Sequence, residues 1–216
     1  MMRQSGRLAG GGGIGFAASL VVGFTLFGPK GGHYSDVEVA RFLAQSSTAR
    51  VASICLFAVS IVGLITLMAY LSETCFGTGR RGRVAWAASL LAATSFLVGW
   101  GLYLAPSSSI SSGGPALDPG ISYAFMTAGM GVLFGAGGIM LGLALVTLAV
   151  AGQGMPIWIR AVTGLAGLSA LSTWAFLVAL KWSPNQWLPG PFYLVILWGL
   201  VIGIWLLVSS PTSRHD

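Results

Sequence analysis

Two stretches of the chain match G-x-G-x-x-G, the spacing with which a strand-to-helix turn cradles a pyrophosphate: Gly10, Gly12 and Gly15, then Gly77, Gly79 and Gly82. That chemistry needs a strand before the glycines and a helix after them, inside a βαβ unit. The first set instead opens an apolar run, and the second falls in a short segment between two apolar runs. Neither reads as a nucleotide site. Other chemistry-bearing residues are scarce: 2 histidines, 2 cysteines and 5 acidic residues in the whole chain. No H-E-x-x-H, G-x-S-x-G or Cys/His pair at metal spacing occurs. Asp36 and Glu38 are two apart and point to different faces of a helix, so they do not make a pair for acid–base work. Cys55 and Cys75 are 20 residues apart along one apolar stretch. That is about 30 Å in a helix rising ~1.5 Å per residue, far beyond the ~7 Å Cα separation of a disulfide. The sequence therefore predicts no catalytic, cofactor or metal site.

Three features remain as candidates. Arg80, Arg81 and Arg83 precede an apolar run, where the amides and dipole of a helix N-terminus favour anions. An anionic lipid headgroup is the ligand that would suit them, and the plainer reading is a topology signal. Glycines four apart, at Gly131 and Gly135, Gly138 and Gly142, and Gly199 and Gly203, make grooves that admit a neighbouring helix. Packing within the chain is the plain reading, and a homo-oligomer or partner membrane subunit the sharper one. Trp100, Trp174 and Trp198 lie away from the ends of their apolar runs and read as packing groups, with a ligand cavity as the alternative.

The elements that must position these residues are membrane helices. Of 216 residues, 55% are hydrophobic and only 7% charged, with mean hydropathy +0.84, whereas soluble domains carry roughly a quarter charged residues. Six stretches reach the ~20 apolar residues that cross a bilayer: about 8–27, 51–71, 84–105, 121–151, 157–180 and 188–210. The expected fold is an all-α bundle of about six transmembrane helices in one domain. The first run has the basic start of a signal peptide (Arg3, Arg7) but lacks a small-x-small site after Phe27, and is expected to be retained. Asp118-Pro119 and Pro156 read as helix starts. Trp182, Trp187 and Tyr193 at one membrane face, and Trp86 and Trp158 at the other, suit the headgroup layer. Ser35 to Ala44 carries a capping box (Ser35, Glu38) with Val39, Phe42 and Leu43 on one face, so a short external amphipathic helix is expected there. The Ser/Gly/Pro stretch Pro106–Gly120 reads as a flexible loop.

The net charge of +6 and pI near 9.9 read as orientation rather than nucleic-acid binding. A cytoplasmic N-terminus puts Arg3, Arg7, Arg80, Arg81, Arg83, Arg160 and Arg214 inside. Lys30, Arg41, Arg50 and Lys181 are then outside. No Asp, Glu, Lys or His lies within a span away from its ends, which argues against a proton-coupled pump or an intramembrane metalloprotease.

Tyr34-Ser35-Asp36-Val37-Glu38-Val39, Arg50 before the second span, Leu117-Asp118-Pro119 before the fourth and Pro156-Ile157-Trp158-Ile159 before the fifth carry a resemblance. Through them the chain resembles a family of uncharacterised six-span inner-membrane proteins of actinobacteria. The resemblance implies the six-span architecture and a bacterial plasma membrane, and carries over no functional residues. The expected function is non-enzymatic: a small transport or binding bundle, or an accessory subunit of a membrane complex. The alternatives are an envelope sensor using the external helix and loop, and a membrane enzyme acting on lipid.

Overall fold

The computed structural model describes residues 2–27, 47–76, 79–111, 118–152, 154–179 and 191–209, and every regular element among them is helical. We number them α1 (Met2–Phe27), α2 (Ser47–Phe76), α3 (Arg80–Ser111), α4 (Pro119–Met130), α5 (Gly137–Ala151), α6 (Ile157–Ala179) and α7 (Phe192–Ser209). A π-helical segment, Gly131–Ala136, joins α4 to α5 as one continuous rod. Helices are what such a sequence must form in lipid, where each backbone amide and carbonyl has to be satisfied within its own segment.

The helices pack as a closed ring. α1 lies between α2 and α7; α2 meets α3; α3 lies along α4, the π segment and α5; α6 packs on α5 and on α7. Large apolar side chains face outward as well as inward, and small hydroxyl residues are buried between the helices. Val62, Leu165 and Leu168 are 63%, 62% and 60% exposed, while the hydroxyls of Ser60, Ser89, Thr163 and Thr173 belong to buried residues. Contiguous apolar surface of this kind is what lipid solvates and water does not.

Four helices are long and apolar enough to cross a membrane, over Val51–Cys75, Arg80–Pro106, Gly120–Ala151 and Phe192–Ser209, and they suggest a membrane location. The runs expected at 8–27 and 157–180 correspond to α1 and α6. These form helices in the same bundle but do not reach that apolar length among the described residues.

Several boundaries shift outward from those expected. α3 does not end at Pro106 but runs through it to Ser111, so the first part of the expected Pro106–Gly120 loop is helical. A proline within a helix removes the donor for the carbonyl four residues back, a loss that membrane helices tolerate. The gap between the expected spans 51–71 and 84–105 shrinks as well, because α2 continues to Phe76 and α3 starts at Arg80. Thr74 does not break α2, since its hydroxyl donates to the Tyr70 carbonyl at 2.7 Å and stays inside the helical pattern. Asp118 caps α4 as expected, its Oδ1 accepting from the amides of Gly120 (2.8 Å) and Ile121 (3.4 Å). Pro156 sits one position earlier than expected: its carbonyl accepts from the Arg160 amide and α6 begins at Ile157. The segment Ser35–Ala44, where an external amphipathic helix is expected, lies outside the described residues, as do Trp182 and Trp187.

Candidate functional site

The interior of the ring is where a conduit or ligand site would lie, and glycines determine how tightly it closes. A methyl group added at Gly13 would stand 2.7 Å from the Gly199 carbonyl, and one at Gly203 would stand 2.7 Å from the Gly10 carbonyl. The Gly199 and Gly203 groove of α7 is thus filled by α1. On its other side α1 meets α2, where a methyl at Gly12 would stand 2.9 Å from the Gly63 carbonyl. α3 and α4 cross at Gly99 and Gly129: a methyl on the first would stand 2.6 Å from the carbonyl of the second, and one on the second 2.5 Å from the carbonyl of the first. Real side-chain carbons do not approach that closely, so only glycine permits these crossings.

The rod of α4, the π segment and α5 presents its glycines differently along its length. A methyl at Gly142 would meet the Gly167 carbonyl at 2.8 Å and one at Gly138 the Ala170 carbonyl at 3.1 Å, both on α6, and Gly135 lies under the Trp174 ring. Gly131 faces open space. Among the glycines singled out from sequence, Gly135, Gly138, Gly142, Gly199 and Gly203 pack within the chain. The G-x-G-x-x-G at Gly10, Gly12 and Gly15 lies within α1, and Gly82 of the second set lies within the first turn of α3.

Aromatic rings fill the centre. Phe57 stacks on Trp100 with centroids 4.6 Å apart, and Trp100 stacks on Tyr103 at 5.4 Å. Phe192 takes edge contacts from Phe96 at 6.0 Å and Phe134 at 5.0 Å. The π segment helps place Phe134. The Gly137 amide donates to the Val132 carbonyl, one residue further back than in an α-helix. That widened turn keeps Leu133, Phe134 and Gly135 all buried. Between these rings, Phe16, Phe57, Ser60, Phe96, Leu133 and Phe192 border a crevice of about 10 Å³. A single water needs roughly that much room.

Side-chain hydrogen bonds tie one helix to the next. The Trp198 indole N–H donates to Thr163 Oγ1 at 3.0 Å, both buried, tying α7 to α6. Ser60 Oγ donates to the Phe16 carbonyl at 3.2 Å across α2 and α1. Ser169 donates to the Pro191 carbonyl just before α7, not to a carbonyl of its own helix. Thr94, Ser95 and Thr173 do bond the preceding turn of their own helices.

None of the three interior tryptophans borders the central crevice: Trp100 is stacked, Trp198 is bonded to Thr163, and Trp174 is half exposed over Gly135. Arg80, Arg81 and Arg83 are exposed in the first turn of α3. This puts positive charge at the positive end of a helix dipole, an arrangement that an anion relieves. Arg160 does not reach outward: its Nε donates to the Ala149 carbonyl at 2.8 Å and its Nη2 to the Val150 carbonyl at 2.9 Å. No group of three His, Cys, Asp or Glu residues that could hold a metal ion occurs among the described residues. No protein family model, curated protein or solved structure matches this chain.

Proposed function

We infer that the chain is a non-enzymatic, multi-pass membrane protein that serves as an accessory subunit to another membrane protein. The observation that carries this reading is the packed interior: among the described residues, glycine-closed crossings and interlocked rings border a central crevice with room for about one water. A charge-free and filled interior supports neither an ion path nor a proton relay, which leaves the lateral surface as the place of work. On that surface, α4 exposes Gly120, Ala124, Ala128 and the open position Gly131, a strip of small residues at helical spacing. Such a strip suits a transmembrane helix of a partner subunit. Arg80, Arg81 and Arg83 would hold anionic headgroups on the cytoplasmic side.

In the same reading six helices cross a bacterial plasma membrane with both termini in the cytoplasm. The resemblance to actinobacterial six-span proteins and the excess of basic residues on that side support this. The envelope-sensor alternative rests largely on residues outside those described, and no specific observation favours the lipid-enzyme alternative. The test is affinity purification of the full chain in mild detergent, with intact-mass analysis of what accompanies it. A second membrane protein is expected, lost on Ala128→Leu or Gly131→Leu substitution. Recovery of a monomer alone, or of a self-assembled oligomer alone, would overturn the accessory role.

A further inference from the structure

Beyond the partner role, one end of the bundle holds a second and larger space. A cavity of about 130 Å³ lies between the C-terminal turns of α2 and α7 and the α5–α6 turn, bordered by Tyr70, Thr74, Cys75, Met155 and Trp205. It is over ten times the central crevice, and cavities of about 150 Å³ hold a benzene ring.

Its walls are chemically mixed and carry no charge. Tyr70 and Trp205 contribute aromatic side chains, Met155 and Cys75 sulfur-bearing ones, and Leu71 and Leu206 aliphatic ones. Thr74 has already given its proton to the Tyr70 carbonyl, at 2.7 Å. The Cys75 thiol approaches the same oxygen at 4.0 Å as a weak donor, and a hydroxyl oxygen has two lone pairs, so one is left to accept from a visiting O–H. The wall opposite α2 is held in place by the turn. Gly154 adopts φ +81°, a conformation glycine takes at no steric cost, and Arg160 clamps the last carbonyls of α5 just before it. Thr74 and Gly154 are exposed at the rim, so the space is reachable from outside.

We propose that this end cavity binds one small neutral molecule with a hydroxyl group and a ring-sized apolar body, the hydroxyl donating to Thr74 Oγ1. A charged ligand has no counter-charge among the lining residues, and a purely apolar one would leave the outward-facing Thr74 oxygen without a donor from the ligand. The probe is 4-fluorophenol, followed by fluorine NMR on the full-length protein in detergent micelles, with protein-free micelles as the partition control. Saturable binding at one site is expected. Thr74→Val, isosteric and at the rim, should weaken it about fivefold to tenfold, in line with one lost hydrogen bond. Cys75→Phe, which fills the space, should abolish it while leaving the helical circular-dichroism signal intact. If Cys75→Phe does not fold, Thr74→Val decides alone. Fluorobenzene should bind about tenfold more weakly than the phenol for the same reason. Partition indistinguishable from empty micelles, or equal binding to wild type and Thr74→Val, would overturn the proposal. Neither result bears on whether a partner subunit co-purifies.

Discussion

A single hydroxyl at Thr163 decides whether a buried indole is satisfied. Trp198 is fully buried, and its N–H points at Thr163 Oγ1. In lipid no water replaces a lost partner. Thr163→Val keeps the shape and removes the acceptor, so it should destabilise the bundle by about 1 kcal/mol, the scale seen for interhelical hydrogen bonds in membranes and for orphaned donors. The measurement is the midpoint of unfolding by sodium dodecyl sulfate in mixed micelles, against Thr147→Val as reference, since Thr147 bonds its own helix. An unchanged midpoint would mean the indole finds another acceptor. Arg160 is the second such residue. Its guanidinium forks onto two C-terminal carbonyls of α5, where a cation also complements the dipole. Arg160→Lys keeps the charge but cannot make the fork. It should therefore lose part of the roughly 1–2 kcal/mol that Arg160→Ala loses in the same assay; equal losses would assign the whole effect to geometry. Neither role was legible beforehand. A threonine mid-helix reads as bonded to its own turn, and an arginine near a span end reads as a lipid anchor, until the neighbouring helix is in place.

At the scale of the element, the helices were readable because long uninterrupted apolar runs in lipid satisfy their backbone only as helices, and among the described residues each of the six expected runs lies largely on a helix. Asp118 was readable as a cap because its oxygen acts locally. The crossings were only half readable. Gly199 and Gly203 stand out by spacing alone, whereas Gly99 and Gly129 belong to no four-residue pair and are revealed only when α3 meets α4. The π segment was not readable, since a widened turn leaves no mark in residue periodicity. One helix offers a direct contrast. A methyl at Gly99 would stand 2.6 Å from the Gly129 carbonyl, while one at Gly101, two residues on, meets nothing within 4 Å. Gly99→Ala should therefore push α3 and α4 apart and cost about 1–3 kcal/mol, as overpacking does. Gly101→Ala should be neutral or stabilising by up to about 1 kcal/mol, because alanine favours the helix. Thermal midpoints of the two variants should move in opposite directions or only the first should move. A similar fall in both would show that α3 and α4 are not in contact there.

At the scale of the whole molecule, the question is whether α1 and α6 cross the bilayer with the other rods. Both are built into the ring rather than laid on it. α1 is held between α2 and α7 by backbone approaches that only glycine allows, and α6 is held by α5 in the same way. A helix in such contact along membrane-crossing neighbours occupies the same depth as they do. Its outward side then faces the same solvent, and α6 turns Leu165, Leu168 and Trp174 outward as α1 does Val21 and Val22. The 26 residues of α1 span about 39 Å at ~1.5 Å per residue, more than the ~30 Å hydrocarbon core. On the six-span reading proposed above both cross, and that reading sets an alternation of sides. In a background with Cys55→Ser and Cys75→Ser, single replacements Ser5→Cys, Thr78→Cys, Gln153→Cys and Ser213→Cys should react with a membrane-impermeant maleimide only after the membrane is opened. His33→Cys, Ser112→Cys and Asn185→Cys should react in intact cells. If His33→Cys behaves like Ser5→Cys, α1 does not cross. If Asn185→Cys behaves like Gln153→Cys, α6 does not. In either case the glycine contacts that seat these helices beside α2, α5 and α7 would have to be broken, because a helix left outside the hydrocarbon layer cannot run along neighbours that pass through it.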